Sequence, residues 1–146
     1  MQTLQYLRSG KATTNERMLY LVQHIRKLLT PKDHWIQGTY AQDKFGAYTE
    51  PNGPDAATFC LTGAYVRIRD KAKLGEAANT VLWKLISDTC QTEYHRSSVT
   101  VVNDIDGYES VLDVLSTIEQ MVMERIRRDG DAGAARTEAE EVGAKW

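Results

Sequence analysis

Apolar residues recur at the three-and-four spacing of a helix in four separate stretches of this chain, and that repetition restricts its fold more than any other feature. In the first stretch Met18, Leu21, Val22, Ile25, Leu28 and Leu29 share one face, while Arg17, Gln23, Arg26 and Lys27 turn away. Thr13 followed by Glu16 is a capping-box signal at its start, and Pro31 ends it by pushing the preceding residue out of helical backbone. The second helix is expected from Pro54, whose fixed φ suits a first helical position, with Ala57, Cys60, Leu61, Ala64, Tyr65 and Ile68 as its apolar stripe. Gly63-Ala64 would let a neighbouring helix approach closely. A third helix runs from about Gly75 to Cys90 through Ala78, Val81, Leu82, Leu85 and Ile86. The longest begins with Asp106 as N-cap and Glu109 in the capping-box position, and carries Val111, Leu112, Leu115, Ile118, Val122 and Ile126 along one side.

Such stripes must be buried against one another, so the expected fold is mainly α: a compact bundle of about four helices with at most a minor β element. The chain of 146 residues suits one core and buries roughly two thirds of its unfolded surface without metal or disulfide. Residues 1–128 form the expected single domain. The tail 129–146 has small and charged residues with no apolar period and is expected to be flexible; nothing in the pattern accounts for Trp146. Ser97 to Ile105, SSVTVVNDI, is β-branched and reads as the one strand or extended segment. The opening MQTLQYLRSGKA offers Leu4 and Leu7 for packing, and Gly10 breaks any continuation.

Between the first two helices lies a long loop, Lys32 to Gly53. Loops of this length in a compact domain tend to be functional or disordered. Trp35, Tyr40, Phe45 and Tyr48 are four of the chain's twelve aromatic residues, and that density argues for an ordered wrap over the core. The same four are the candidate partner-binding residues, because aromatics anchor interfaces. The plainer account is that they cap a hydrophobic face.

Charge and composition exclude several classes. A formal charge of −2 gives no general attraction to nucleic acid or an anionic membrane. No apolar run approaches the ~20 residues of a membrane span, and no secretory leader pattern is present, so a cytoplasmic location is expected. Two cysteines are too few for a disulfide framework and default to free buried thiols. Arg67, Arg69, Lys71 and Lys73 form a basic run interrupted by Asp70, which reads as solvated surface. No phosphate loop, Rossmann fingerprint or serine elbow occurs.

Three constellations could carry chemistry. Cys60 as nucleophile, His34 as base and Asn103 or Asp104 orienting the imidazole supply the residue types of a cysteine hydrolase or transferase. Against it, Cys60 is expected two turns into a helix on the apolar face, where a thiol is packed and inert. His34, Cys60, Cys90 and His95 are zinc donors without the paired short spacings of a zinc site. The run from Val102 through NDIDGYES to Asp113 places Asp104, Asp106 and Gly107 as in a calcium loop, but Val102 stands where an oxygen ligand is required. No metal and no cofactor is therefore assigned.

Trp35 with Gly38, Asp43 with Gly46, Phe59-Cys60 followed by Gly63-Ala64, and Asn103-Asp104 before a long helix give the chain a pattern similar to the domain-of-unknown-function family numbered 6197. The resemblance covers about Leu19 to Ile118 and implies kinship with small bacterial and phage proteins, hence a role in acting on host machinery. It implies no activity. The favoured expectation is a non-enzymatic protein that binds a host macromolecule, a protein partner, by occupying its surface. The alternative is the Cys60 enzyme, and a homodimer through the second or last helix is open.

Overall fold

A computed structural model describes the backbone of residues 2–144 and the side chains of residues 2–130. It is mainly helical, and each helix begins where a local signal stops the preceding turn. A short α1 (Leu4–Leu7) buries Leu7 against the core. The capping box then starts α2 (Thr14–Leu29): the Thr13 hydroxyl accepts from the Glu16 N–H at 3.1 Å and Glu16 accepts from the Thr13 N–H at 3.0 Å. Met18, Leu21, Val22, Ile25 and Leu29 are buried as the spacing requires. A single 3-10 turn (Lys32–His34) follows Pro31.

The second helix departs from expectation. Residues 51–57 do not coil into helix after Pro54, because the turn at Pro51–Gly53 is clamped by Arg67, whose guanidinium donates to the carbonyls of Pro51 (3.1 Å) and Gly53 (2.8 Å). The chain instead runs extended, and β2 (Thr58–Phe59) pairs antiparallel with β1 (Ala41–Gln42), Ala41 opposite Phe59. Helix α3 (Leu61–Ala72) therefore starts six residues beyond Asp55, with Cys60 as its N-cap rather than two turns inside it.

Helix α4 (Glu76–Tyr94) buries Ala78, Leu82, Leu85, Ile86 and Cys90. The expected strand at Ser97–Ile105 is helical: α5 (Val99–Val101) runs into a π-helical turn (Val102–Asp106). Ser98 caps it by accepting from the Val101 N–H, and Val99 and Val102, three apart, both enter the core. With no partner strand to pair with, burial at helical spacing overrides β propensity. Asp106 is likewise not an N-cap. Its carboxylate takes two hydrogen bonds of 3.0 Å from Arg96, while Gly107, at φ 94°, closes the π turn by donating to the Val102 carbonyl.

Helix α6 (Tyr108–Ala144) buries Val111, Val114, Leu115, Ile118 and Val122. Its backbone continues past Asp129, so the composition change there marks the end of the apolar stripe rather than of the helix. Trp146 lies outside the described residues. Helix α2 is the hub, packed on α3, α4 and α6. Among the described residues no helix is long and apolar enough to cross a membrane.

Candidate functional site

The long loop is ordered by hydrogen bonds rather than by bulk burial, and Asn103 ties it to the start of α3. Buried at 1% exposure, its Oδ1 accepts from the Trp35 indole N–H (2.7 Å) and the Leu61 N–H (3.0 Å). Its Nδ2 donates to the Ile36 carbonyl (3.0 Å) and to Asp104 Oδ1 (2.9 Å). An amide has two acceptor lone pairs and two donor hydrogens, so Asn103 is saturated. The wide π turn carries it there, tying together the loop, the start of α3 and its own neighbour. Asp104 extends the clasp, for its Oδ1 also accepts from the Gly38 N–H at 3.0 Å and its carbonyl accepts from Gln37.

Farther along the loop, Asp43 builds a tight turn. Its Oδ1 accepts from the N–H groups of Phe45 (2.8 Å) and Ala47 (3.0 Å), and its own N–H donates to the Ala47 carbonyl. Phe45 is thereby presented at the tip, 83% exposed, with Tyr48 at 59% and Tyr40 at 50% behind it. Trp35 differs from the other three: half-buried, bonded to Asn103 and tilted on Tyr108, it belongs to the scaffold.

Tyr40 is fixed through its backbone. Its carbonyl accepts from the Cys60 N–H and lies against Gly63, where an added Cβ would stand 1.9 Å from that oxygen. Gly63 thus admits the loop backbone, not a neighbouring helix. A cleft of about 410 Å³ opens alongside, lined by Gly38, Thr39, Tyr40, Tyr48, Cys60, Thr100 and Asp104. That is within the usual size of a ligand pocket.

Cys60 sits at this cleft but is 4% exposed. Its sulfur accepts from the Gly63 N–H at 3.3 Å, as an N-cap does. Burial raises the thiol above its ordinary range, and the nearby Asp104 charge adds to this. The amides of Gly63 and Thr62 oppose both without prevailing. No imidazole joins the site, since His34 is absent from the lining and its Nδ1 contacts the Leu28 carbonyl at 3.0 Å. The alternative grouping of Cys60 with His34 and Asn103 or Asp104 is not brought together as a set: Asn103 has no valence left to orient a base, and Asp104 alone of the partners reaches the cysteine's cleft.

Cys90 is fully buried and its thiol is pushed up to about 11, chiefly by burial. His95 ends α4 in a left-handed conformation. Among the described residues no group of three or more His, Cys, Asp or Glu is placed to hold a metal ion. Within the basic run the two arginines are engaged locally, Arg67 on loop carbonyls and Arg69 on Asp70.

Asp43 and the saturation of Asn103 were not read from the sequence as structural devices. An Asp three residues before Gly46 was the available signal for the turn, whereas nothing local announces which amide will be buried. A family of unknown function (DUF6197) matches residues 13–120. No curated protein and no solved structure matches the chain.

Proposed function

The chain belongs to that family, DUF6197, and from the construction of its loop we propose a non-enzymatic binding protein that acts by occupying the surface of a protein partner. The observation that carries this reading is the display of Tyr40, Phe45 and Tyr48 on a loop pinned at several points by side-chain hydrogen bonds. Exposed aromatics on a pre-ordered scaffold lose little entropy on binding, which is how a few side chains come to dominate an interface. The setting implied by the resemblance, a phage or mobile-element product meeting host machinery in the cytoplasm, suits such a role.

The test is capture from host lysate with wild-type protein and a Tyr40→Ala/Phe45→Ala/Tyr48→Ala variant of unchanged helical content. Loss of one or more captured species is expected. Phe45→Ala alone should weaken the purified pair roughly 30-fold, corresponding to about 2 kcal/mol at a binding hot spot. A variant that captures the same set as wild type would remove the reading.

A cysteine-dependent hydrolase or transferase is the second reading, favoured by one observation: Cys60 caps α3 and lines the cleft. The raised thiol and the missing base weigh against it. Brief iodoacetamide treatment of the folded protein separates the two. Labelling of Cys60 at the rate of an unfolded peptide would support a catalyst; an unlabelled Cys60 would end that idea.

A further inference from the structure

Resting on the binding reading above, we propose that the cleft beside Cys60 receives an arginine side chain of the protein partner, with Asp104 as the counter-charge to its guanidinium. Asp104 is the sole charged residue of the lining. Its Oδ1 is already fixed by Gly38 and Asn103, while no described residue donates to its Oδ2. A carboxylate held in place with one oxygen free is prepared for an external donor. It also repels phosphate, so a nucleic-acid occupant is disfavoured by the same charge.

The remaining lining selects among cations. Tyr40 and Tyr48 supply aromatic surface, which attracts a cation through the ring quadrupole. Thr39 and Thr100 bring hydroxyls that can accept additional N–H bonds. A guanidinium has five donors in a plane and stacks on aromatic rings, whereas an ammonium is a compact, strongly hydrated charge; the mixture of acceptors and rings fits the former. The neutral thiol of Cys60 adds a polarizable wall and no competing charge.

Placement points to a macromolecular source. Among the described residues, four of the six exposed large apolar side chains are Tyr40, Phe45, Tyr48 and Ile105, the last adjacent in the chain to Asp104. A cleft of about 410 Å³ exceeds one guanidinium, so residues flanking the arginine would enter with it and meet these side chains. A cleft of equal volume near α1, lined by Leu7, Glu16, Tyr20 and Ile126 among others, lacks this readiness. Both oxygens of its Glu16 are engaged, by Thr13, Tyr6 and Gln2.

The test uses N-acetyl-arginine N-methylamide as the probe, titrated into full-length ¹⁵N-labelled protein. The Gly38 amide, bonded to Asp104, should shift saturably with a half-point of about 1–10 mM, the affinity range of a single anchoring side chain. The uncharged citrulline analogue should bind at least tenfold more weakly, a comparison that needs no variant. Asp104→Asn, which keeps an acceptor for Gly38, should weaken the arginine probe by a similar factor. No saturable shift up to about 100 mM, or an equal response to citrulline, would overturn the assignment. A protein that ignores the probe yet loses its partner on Phe45→Ala leaves the binding reading standing without this pocket. Arginine uptake alongside unaltered capture by the triple-alanine variant, which lacks the Tyr40 and Tyr48 walls, would leave a cleft that takes arginine but would overturn its assignment to a protein partner.

Discussion

The helical core and the loop end of this molecule are stabilised by opposite means. In the core, Leu21, Val22, Ile25, Leu82, Ile86, Leu115 and Ile118 are wholly buried, and their contribution is apolar surface removed from water. At the loop end Phe45, Tyr48, Tyr40 and Ile105 face solvent, and order comes from directed bonds to Asn103, Asp104 and Asp43. Apolar packing tolerates exchange among residues of similar volume, but a saturated amide tolerates almost none. The first kind of region sets global stability. The second sets the shape of a surface, and its loss need not unfold the protein.

Ile118→Ala probes the core side of that contrast and should have the largest effect. A cavity at a fully buried position predicts a loss of about 2–5 kcal/mol in urea unfolding, with exchange quickened in the core and unchanged at the locally opening loop amides. Unchanged stability would mean that α6 is not part of the core.

Asn103→Ala probes the other side. It orphans the Leu61 N–H, the Trp35 indole and the Ile36 carbonyl, each at about 1–3 kcal/mol if left dry. Water will reach some of these groups, so a net loss of about 3 kcal/mol is expected. Hydrogen exchange should quicken at residues 35–48 before the core does. Exchange rising equally in both regions would show that they are not separable.

Gly63→Ala tests the point where the two regions meet. The new methyl would collide with the backbone carbonyl of Tyr40, which cannot swing aside as a side chain would, for a cost of about 1–3 kcal/mol. Displacement of Tyr40 should reduce arginine-probe uptake as well. Retention of both stability and uptake would show that the loop can shift freely.

The smallest effect is a pH dependence confined to the core. The unfolded Cys90 thiol ionises near pH 9, while the folded one holds its proton to about 11. Its contribution is therefore complete below pH 9 and is lost as pH rises through that window, because the unfolded state releases its proton first. Urea midpoints at about pH 8, 9.5 and 11 should fall more steeply for wild type than for Cys90→Ala. Parallel slopes would remove Cys90 as the cause.

What was legible in the sequence, and what was not, divides along the same line. The capping box at Thr13 and the burial of Met18, Leu21, Val22, Ile25 and Leu29 could be read directly, because both depend on residues within one or two turns of each other. So could the mainly helical class and the presence of a minor β element. The β element was misplaced, since Val99 and Val102 have a strand's composition but no strand beside them. The start of α3 was misjudged because Arg67, lying ahead in the chain, holds the Pro51–Gly53 turn open.

By itself, then, the sequence determined a helical core and the residues that fill it, since periodicity is a local property that burial merely selects. Only the tertiary structure decided that Cys60 caps a helix beside Asp104, that Trp35 is scaffold while Phe45 is displayed, and that Asn103 is the clasp. The places of Trp35 and Asn103 depend on hydrogen bonds between groups dozens of residues apart, and that of Cys60 on the bond of its N–H to the Tyr40 carbonyl across the loop; such pairings have no period to betray them.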